Sequence, residues 1–105
     1  MEKPINPFPI SQHCSVSELV QRMAGTSFQA RNLAHGVEIW SRMLNGQLTI
    51  FMGLAGAMIP AGMRQVMVYL IEHRLIDCLV STGANLFHDL HESLGKSHWQ
   101  GHSSV

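Results

Sequence analysis

The sequence predicts an α/β chain, in which a helical N-terminal region precedes an incomplete, doubly wound parallel sheet of order β-α-β-α. Between residues 47 and 95, two short apolar runs rich in strand-forming residues alternate with two segments of helical periodicity. Runs that are apolar throughout are typical of strands buried on both faces, as in parallel sheets. Two strands do not make a stable sheet of this kind, so the architecture is incomplete within these residues.

The composition also indicates that these residues do not form a complete, independent domain. Charged residues make up 13% of the 105-residue chain, against about 25% in an ordinary soluble domain, and 46% is hydrophobic. A small soluble monomer needs more charge because most of its surface faces water. We therefore expect the chain to be part of a longer protein or to be buried against a partner. Its zero net charge gives no support to a nucleic-acid or membrane partner.

Cysteine usage and the N-terminus predict a cytoplasmic location. Cys14 and Cys78 are too few for a disulfide framework and match no zinc motif. Cys78 lies in an apolar run, which favours a buried free thiol and a reducing compartment. No signal peptide is visible. The uncharged stretch between Arg42 and Arg64 could span a bilayer by length, but glycines and Pro60 divide it, which favours a strand and a turn.

Two parts precede the predicted sheet. Residues 1–13 hold three of the four prolines, which favour extended backbone and predict an arm. Residues 14–46 are predicted to be helical. Their first helix covers Glu18–Ala24, with Ser15 or Ser17 as its N-cap and a glycine at its end.

The second helix is predicted over Phe28–Leu44, because its apolar residues recur mostly at helical spacing. Ser27 is the expected N-cap, and Asn45 and Gly46 end the helix. Neither of these two helices contains a catalytic or ligand-binding motif that we recognise.

Residues 47–105 are interpreted as the first part of an α/β domain. Leu48–Met52 is the first predicted strand, and a loop of small residues leads from it to a helix over Pro60–Arg74. A proline in the first helical turn loses no hydrogen bond, since its N–H would have had no partner there. The apolar residues predicted on one face of this helix are Met63, Val66, Met67, Leu70 and Ile71.

The second predicted strand covers Leu75–Val80, with Asp77 near its entry. Ser81–Ala84 is expected to be a tight turn. Asn85 is the expected cap of a last helix that runs to Leu94, where the following glycine ends it.

Two glycine-bearing loops, residues 53–62 and Thr82–Ala84, follow the two predicted strands. In a Rossmann-like sheet such loops lie at the carboxyl edge, where helix N-termini offer N–H donors to a bound dinucleotide. The first loop is neither G-x-G-x-x-G nor a P-loop. Glycines that only permit tight turns and close packing are therefore the alternative.

Histidine is abundant, and His88 is the most informative. It lies with Asp89 one helical turn beyond the Thr82–Ala84 loop, within reach of a ligand bound there. No metal site is predicted, because no motif brings three or four ligands together. The other histidines are expected to be exposed or hydrogen bonded: His13, His35, His73, His91, His98 and His102.

Three runs carry a resemblance to a known family: Thr49–Arg64, Tyr69–Arg74 and Asp77–Asp89. Their strand, small-residue loop, Gly-Met-Arg helix start and Thr-Gly-Ala turn resemble the deoxyhypusine synthase family, and the match covers most of residues 35–105. Trp99–His102 also looks like the continuation in the bacterial and archaeal branch of that family.

The resemblance implies a deoxyhypusine synthase-type fold and an NAD-dependent transfer of an aminobutyl group from spermidine or a related polyamine. The implied acceptor is a lysine of a translation factor precursor, or a small amine such as putrescine in homospermidine synthase-like relatives. Family members are tetramers with active sites at subunit interfaces. The implied partners are therefore the polyamine, further copies of the chain and the precursor protein, with NAD as cofactor.

The resemblance also implies site residues. His88 and Asp89 fall where eukaryotic members have acidic residues near the polyamine. Two departures stand out: Ala55–Ala57 replaces a Thr-Ser-Asn of those members, and Phe87 and His88 replace two glutamates, so that Asp89 alone keeps a negative charge. The family's NAD-contacting loops fall on Gly56, Ala57, Met58, Ile59, Pro60, Thr82, Gly83 and Ala84.

Whether the chain acts as an enzyme stays open at this point. The family's reactive lysine lies far downstream beside a Trp-Gly pair, and neither Lys3 nor Lys96 has such neighbours. We therefore expect an N-terminal portion that is inactive alone. The alternative is a non-enzymatic, oligomeric binding or assembly module of α/β type, which the low charge and the incomplete sheet also fit.

Overall fold

The computed structural model describes residues 4–7, 9–10 and 13–101. Parts of the predicted arm, together with Lys3 and His102, lie outside the described residues. The chain divides into two compact units, residues 1–48 and residues 49–105, and each is described by itself.

The first unit consists of two helices, α1 (Val16–Met23) and α2 (Phe28–Asn45). Ser15 caps α1: its Oγ accepts from the Glu18 N–H at 3.2 Å, and the Glu18 carboxylate accepts from the Ser15 N–H at 2.8 Å. These bonds from Ser15, the backbone one first, lower the pKa of Glu18. Ser15, one of the two predicted caps, is therefore confirmed.

The prediction for Ser27 is right about its position at the start of α2 but wrong about its capping hydrogen bond. Ser27 occupies the N-cap position of α2, but its side chain makes no capping bond. Its Oγ accepts instead from Arg31 Nη2 at 3.0 Å. The predicted helix itself is confirmed, and its C-cap is Gly46.

The second unit is a small parallel α/β structure, so the mixed α/β class is confirmed. Strand β1 (Phe51–Leu54) pairs in parallel with β2 (Cys78–Ser81), and helix α3 (Arg64–Glu72) connects them. Helix α4 (Gly83–Ser93) follows β2. Two strands do not amount to a complete doubly wound sheet. The buried apolar residues of this unit are Ile50, Leu54, Ile59, Met67, Leu70 and Ile76.

Both strands begin three residues later than predicted. The Ile50 carbonyl accepts from the Asp77 and Cys78 N–H groups at 3.0 and 3.1 Å, and Asp77 Oδ2 accepts from the Ile50 N–H at 2.6 Å. This carboxylate bond takes the place of a ladder bond, so regular pairing starts only at Phe51 and Cys78. Asp77 thus lies at the entry edge of the sheet, as predicted.

The prediction that the strands are buried on both faces is wrong for this unit. Phe51 is 68% exposed and Val80 is 61% exposed, whereas Leu54 is buried. Successive side chains of a strand point to opposite faces, and only the face with Leu54 contributes to the core. Cys78 lies on the open face with Phe51 and Val80, so its free thiol is half-buried rather than buried as predicted.

The predicted helix over Pro60–Arg74 is divided at Gly62, whose φ is 92°. A single π-helical turn covers Ile59–Met63, and the regular helix α3 starts at Arg64. Of the predicted apolar face, Met67 and Leu70 are buried. Met63, Val66 and Ile71 are exposed, so the predicted apolar face is only partly buried in this unit.

The start of α4 also differs from the prediction. The helix begins at Gly83 after Thr82, so Gly83 and Ala84 form its first turn rather than a separate tight turn. Gly95 ends the helix as predicted: its φ is 77°, its N–H donates to the Glu92 carbonyl, and the Lys96 N–H donates to the His91 carbonyl. This pair of bonds is a Schellman motif. No helix in the described part of the chain has both the length and the apolar character to cross a bilayer.

We expect Gly62→Ala to lower the free energy of unfolding by about 1 kcal/mol, since an L side chain is strained at this positive φ although space for a Cβ exists. Gly53→Ala is the matched control, because Gly53 has equal space and no positive φ. Urea denaturation of both variants tests this, and an equal effect of the two substitutions would contradict it.

Candidate functional site

The parallel pairing brings the two predicted loops to one edge of the sheet. Leu54 and Ser81, the last residues of the strands, lie side by side in the register. The Thr82 N–H donates to the Leu54 carbonyl at 3.1 Å and joins the two strand ends. The loop over residues 55–58 and the start of α4 therefore lie beside each other.

Asn85 is the side chain that holds these loops together. It is 1% exposed, and its Oδ1 accepts from the Ile59 N–H at 3.2 Å. Its Nδ2 donates to the Gly56 carbonyl at 2.8 Å and to Thr82 Oγ1 at 3.2 Å, with the Leu54 carbonyl at 3.4 Å. The prediction of Asn85 as a helix cap is therefore wrong: it lies in the first turn and cross-links α4 to the loop after β1.

The predicted cofactor residues do not all reach the surface. Ile59 is buried, and its N–H is bonded to Asn85, so neither its side chain nor its amide is available to a ligand. Pro60 is half-buried. The exposed members of the set are Gly56, Ala57, Met58, Thr82, Gly83 and Ala84.

These exposed residues fit a dinucleotide phosphate. Thr82 makes no side-chain capping bond to α4, so the N–H groups of Gly83 and Ala84 in its first turn face outward, at the positive end of the helix dipole. Apart from the adjoining residues and the backbone of the helix itself, no atom of the described residues lies within 4 Å of the position that a Cβ would take at Gly56 or at Gly83. Backbone at both positions is thus open to close approach by a ligand.

Arg64 is a site residue that the sequence reasoning missed. Its Nε donates to Asp89 Oδ1 at 2.7 Å and lies 3.6 Å from Glu92 Oε2, while Nη2 donates to Ser93 Oγ at 2.9 Å. The bond with Asp89 raises the pKa of Arg64 further above its usual range. The Gly-Met-Arg helix start draws attention to Arg64 in the sequence, but spacing along the chain does not predict that this side chain contacts α4.

His88 belongs to a hydrogen-bonded chain of three side chains. Its Nδ1 lies 2.9 Å from His98 Nε2, and His98 Nδ1 lies 2.9 Å from Glu92 Oε1. The ring of His91 also packs near His98. Across the described ranges, no group of three or more His, Cys, Asp or Glu side chains has an arrangement that could hold a metal ion.

Comparison with known proteins decides the family. The sequence model for deoxyhypusine synthase matches residues 18–105. The chain belongs to the deoxyhypusine synthase family. This confirms the resemblance found in the three sequence runs.

Individual members of the deoxyhypusine synthase family agree with this assignment. The probable deoxyhypusine synthase 2 of Methanosarcina mazei is 61% identical over 83% of this chain and 26% of the relative's length. The probable deoxyhypusine synthase 1 of the same organism is 46% identical over 96% of the chain and 32% of its length. A deoxyhypusine synthase-like protein of Chlorobaculum parvum is 40% identical over 96% of this chain and 29% of the relative's length. The chain spans about a third or less of these curated relatives.

We expect Asn85→Ala to lower the free energy of unfolding by about 3 kcal/mol, because it leaves the Ile59 N–H and the Gly56 carbonyl without their partner. Asn32→Ala is the control, since Asn32 is an exposed helix residue bonded only to the Gln29 side chain. Urea denaturation measures both. A loss below about 1 kcal/mol for Asn85→Ala would mean that the cross-link has little weight.

Proposed function

We propose that this chain supplies one edge of the NAD site, and part of the polyamine site, of a deoxyhypusine synthase-type aminobutyl transferase. Membership of the deoxyhypusine synthase family supports this proposal. The observation that carries it is the meeting of the loop after β1 with the start of α4, cross-linked by the buried side chain of Asn85. In this proposal further strands of a doubly wound fold pair with the edges of this sheet, and helices cover the open face of β1 and β2.

Four positions are proposed to hold the cofactor. The N–H groups of Gly83 and Ala84 donate to a phosphate, and the dipole of α4 favours its negative charge. Gly56 and Ala57 present backbone and small side chains, so that the cofactor approaches closely. Bound NAD supplies a hydride acceptor for oxidation of an amine carbon. Met58 and Thr82 flank these positions on the exposed surface.

His88 and Asp89 are proposed to face the polyamine. Asp89 and Glu92 contribute two negative charges and share the single guanidinium of Arg64, which leaves an excess of one negative charge beside His88. Such an excess attracts a cationic amine. In this proposal the donor is spermidine or a related polyamine, and the acceptor is a protein lysine or a small amine such as putrescine. The proposed assembly is a cytoplasmic homotetramer.

The proposal is tested on the purified native protein, by which we mean the complete protein that contains these 105 residues. We expect it to bind NAD in isothermal titration calorimetry and to consume spermidine when putrescine or a lysine-bearing precursor protein is present. A protein that neither binds NAD nor consumes spermidine with either acceptor would refute the proposed function.

The Ala84→Glu variant separates cofactor binding from stability. A carboxylate in the first turn of α4 suits the helix dipole, so we expect unchanged stability, but it repels a phosphate. We expect NAD affinity to fall about tenfold or more. Ala84→Gln is the matched neutral control and should bind NAD nearly normally. If the two variants bound NAD with equal affinity, the start of α4 would not be part of the NAD site.

The Asp89→Ala variant separates the polyamine from the cofactor. Only the polyamine is cationic, so we expect its KM to rise about tenfold while NAD affinity stays unchanged. Asp89→Asn, which keeps the shape and removes the charge, should behave similarly. An equal loss of polyamine and NAD binding would show that this carboxylate serves the fold through Arg64 instead.

The open apolar surface favours a second candidate function, a non-enzymatic assembly module. Phe51 and Val80 are exposed on the free sheet face, and Phe87 and Leu94 are exposed on α4. If the 105 residues act alone, we expect a folded oligomer of discrete size in sedimentation velocity. An unfolded or aggregated chain would rule this candidate out.

A further inference from the structure

We propose that His88 accepts a proton from the bound amine, and that His98 and Glu92 act as positioning residues that keep His88 in its basic tautomer. The inference rests on the proposed function, because the amine is the substrate assigned there. It adds a proton-transfer role to a histidine that the sequence associated only with binding.

The position of His88 follows from a polar stripe on α4. Asn85, His88, Asp89 and Glu92 recur at helical spacings of three and four, which places them on one face. Asn85 contacts the loops at the carboxyl edge of the sheet, and Asp89 and Glu92 contact Arg64. His88 therefore lies one turn from the loops, beside the carboxylates that attract the amine.

When His98 is neutral, the two hydrogen bonds set the tautomers of both rings. A carboxylate oxygen accepts hydrogen bonds, so His98 Nδ1 is the donor in its 2.9 Å bond with Glu92 Oε1. A neutral His98 then has a lone pair on Nε2, which accepts from the Nδ1–H of His88 at 2.9 Å. His88 is left with its lone pair on Nε2. This atom makes no hydrogen bond within the described residues and can accept a proton.

The reaction needs such a proton acceptor. An aliphatic amine is an ammonium ion at neutral pH, since its ordinary pKa is about 10.4. Hydride cannot leave the carbon next to a charged nitrogen until that nitrogen regains its lone pair. In the proposed step an N–H bond of the ammonium breaks and a bond from His88 Nε2 to that proton forms. No electrons are transferred in the step, and the positive charge moves from the amine to the imidazole.

The surroundings stabilise the imidazolium that results. His88 keeps its Nδ1–H bond to His98, whose orientation Glu92 holds. The charged and titratable groups around the pair are Asp89, His91 and Glu92 from α4 and Arg64 from α3. The side chains of His98 and Glu92 are only 21% and 24% exposed, so solvent screens their interaction weakly.

The first test is the pH dependence of spermidine oxidation by the native protein. We expect His88→Gln to lower kcat about 100-fold and to leave NAD affinity unchanged. Glu92→Gln should move the acidic limb of kcat/KM to lower pH, since loss of the carboxylate makes His88 easier to deprotonate. His73→Gln is the control and should leave that limb in place, because the Nδ1 of His73 contacts the Tyr69 carbonyl and lies outside this chain of side chains. If His88→Gln had a normal kcat and a normal acidic limb of kcat/KM, the proposal would be overturned.

The second test does not depend on activity. Nitrogen NMR of the imidazole rings in the native protein should show both His88 and His98 protonated on Nδ1 at neutral pH. Glu92→Leu, which leaves no oxygen to accept from His98 Nδ1, should abolish this preference. A His88 protonated on Nε2 instead would overturn the proposed role. If the native protein lacks transferase activity, the proposed function fails, and the proton-accepting role fails with it. If it is active and either test above fails, only the role of His88 is wrong.

Discussion

The candidate site depends on one buried amide. Asn85 satisfies a backbone N–H and a backbone carbonyl of the loop after β1 while it lies in the first turn of α4. Because a buried polar group without a partner is costly, this side chain can occupy only an arrangement that meets all of these groups at once. The loop and the helix start are thereby fixed relative to each other, and the exposed backbone between them keeps one shape.

A second constraint follows from the first. Since the cross-link sets the rotation of α4 about its axis, it also decides which side chains of that helix turn toward α3. Asp89 and Glu92 meet Arg64, and His88 meets His98 on the segment after the helix. The charges of the site are therefore organised as a network. A carboxylate that looks free in the sequence shares an arginine, and a histidine that looks isolated is hydrogen bonded to a second histidine.

The open sheet face shows the opposite situation, in which apolar residues have no partner within the unit. Phe51 and Val80 are apolar yet exposed, because their strands contribute only one face to the core. The hydrophobic pattern of the sequence correctly predicted that both strands belong to a parallel sheet. It also predicted that both faces of the sheet are buried, which is not the case in this unit. The loop of small residues after β1 was also predicted, but a kink at Gly62 divides the helix that the pattern predicted as continuous.

The sequence by itself determined the family, the order of elements, the parallel pairing and the glycine that ends α4, because these depend on local periodicity and on short motifs. Only the tertiary structure decided the rest. The role of Asn85, the pairing of Arg64 with Asp89 and the contact between His88 and His98 join residues 10 to 29 positions apart. Local propensity carries no information about such contacts, since the rotation of one element against another is set by packing and by buried hydrogen bonds.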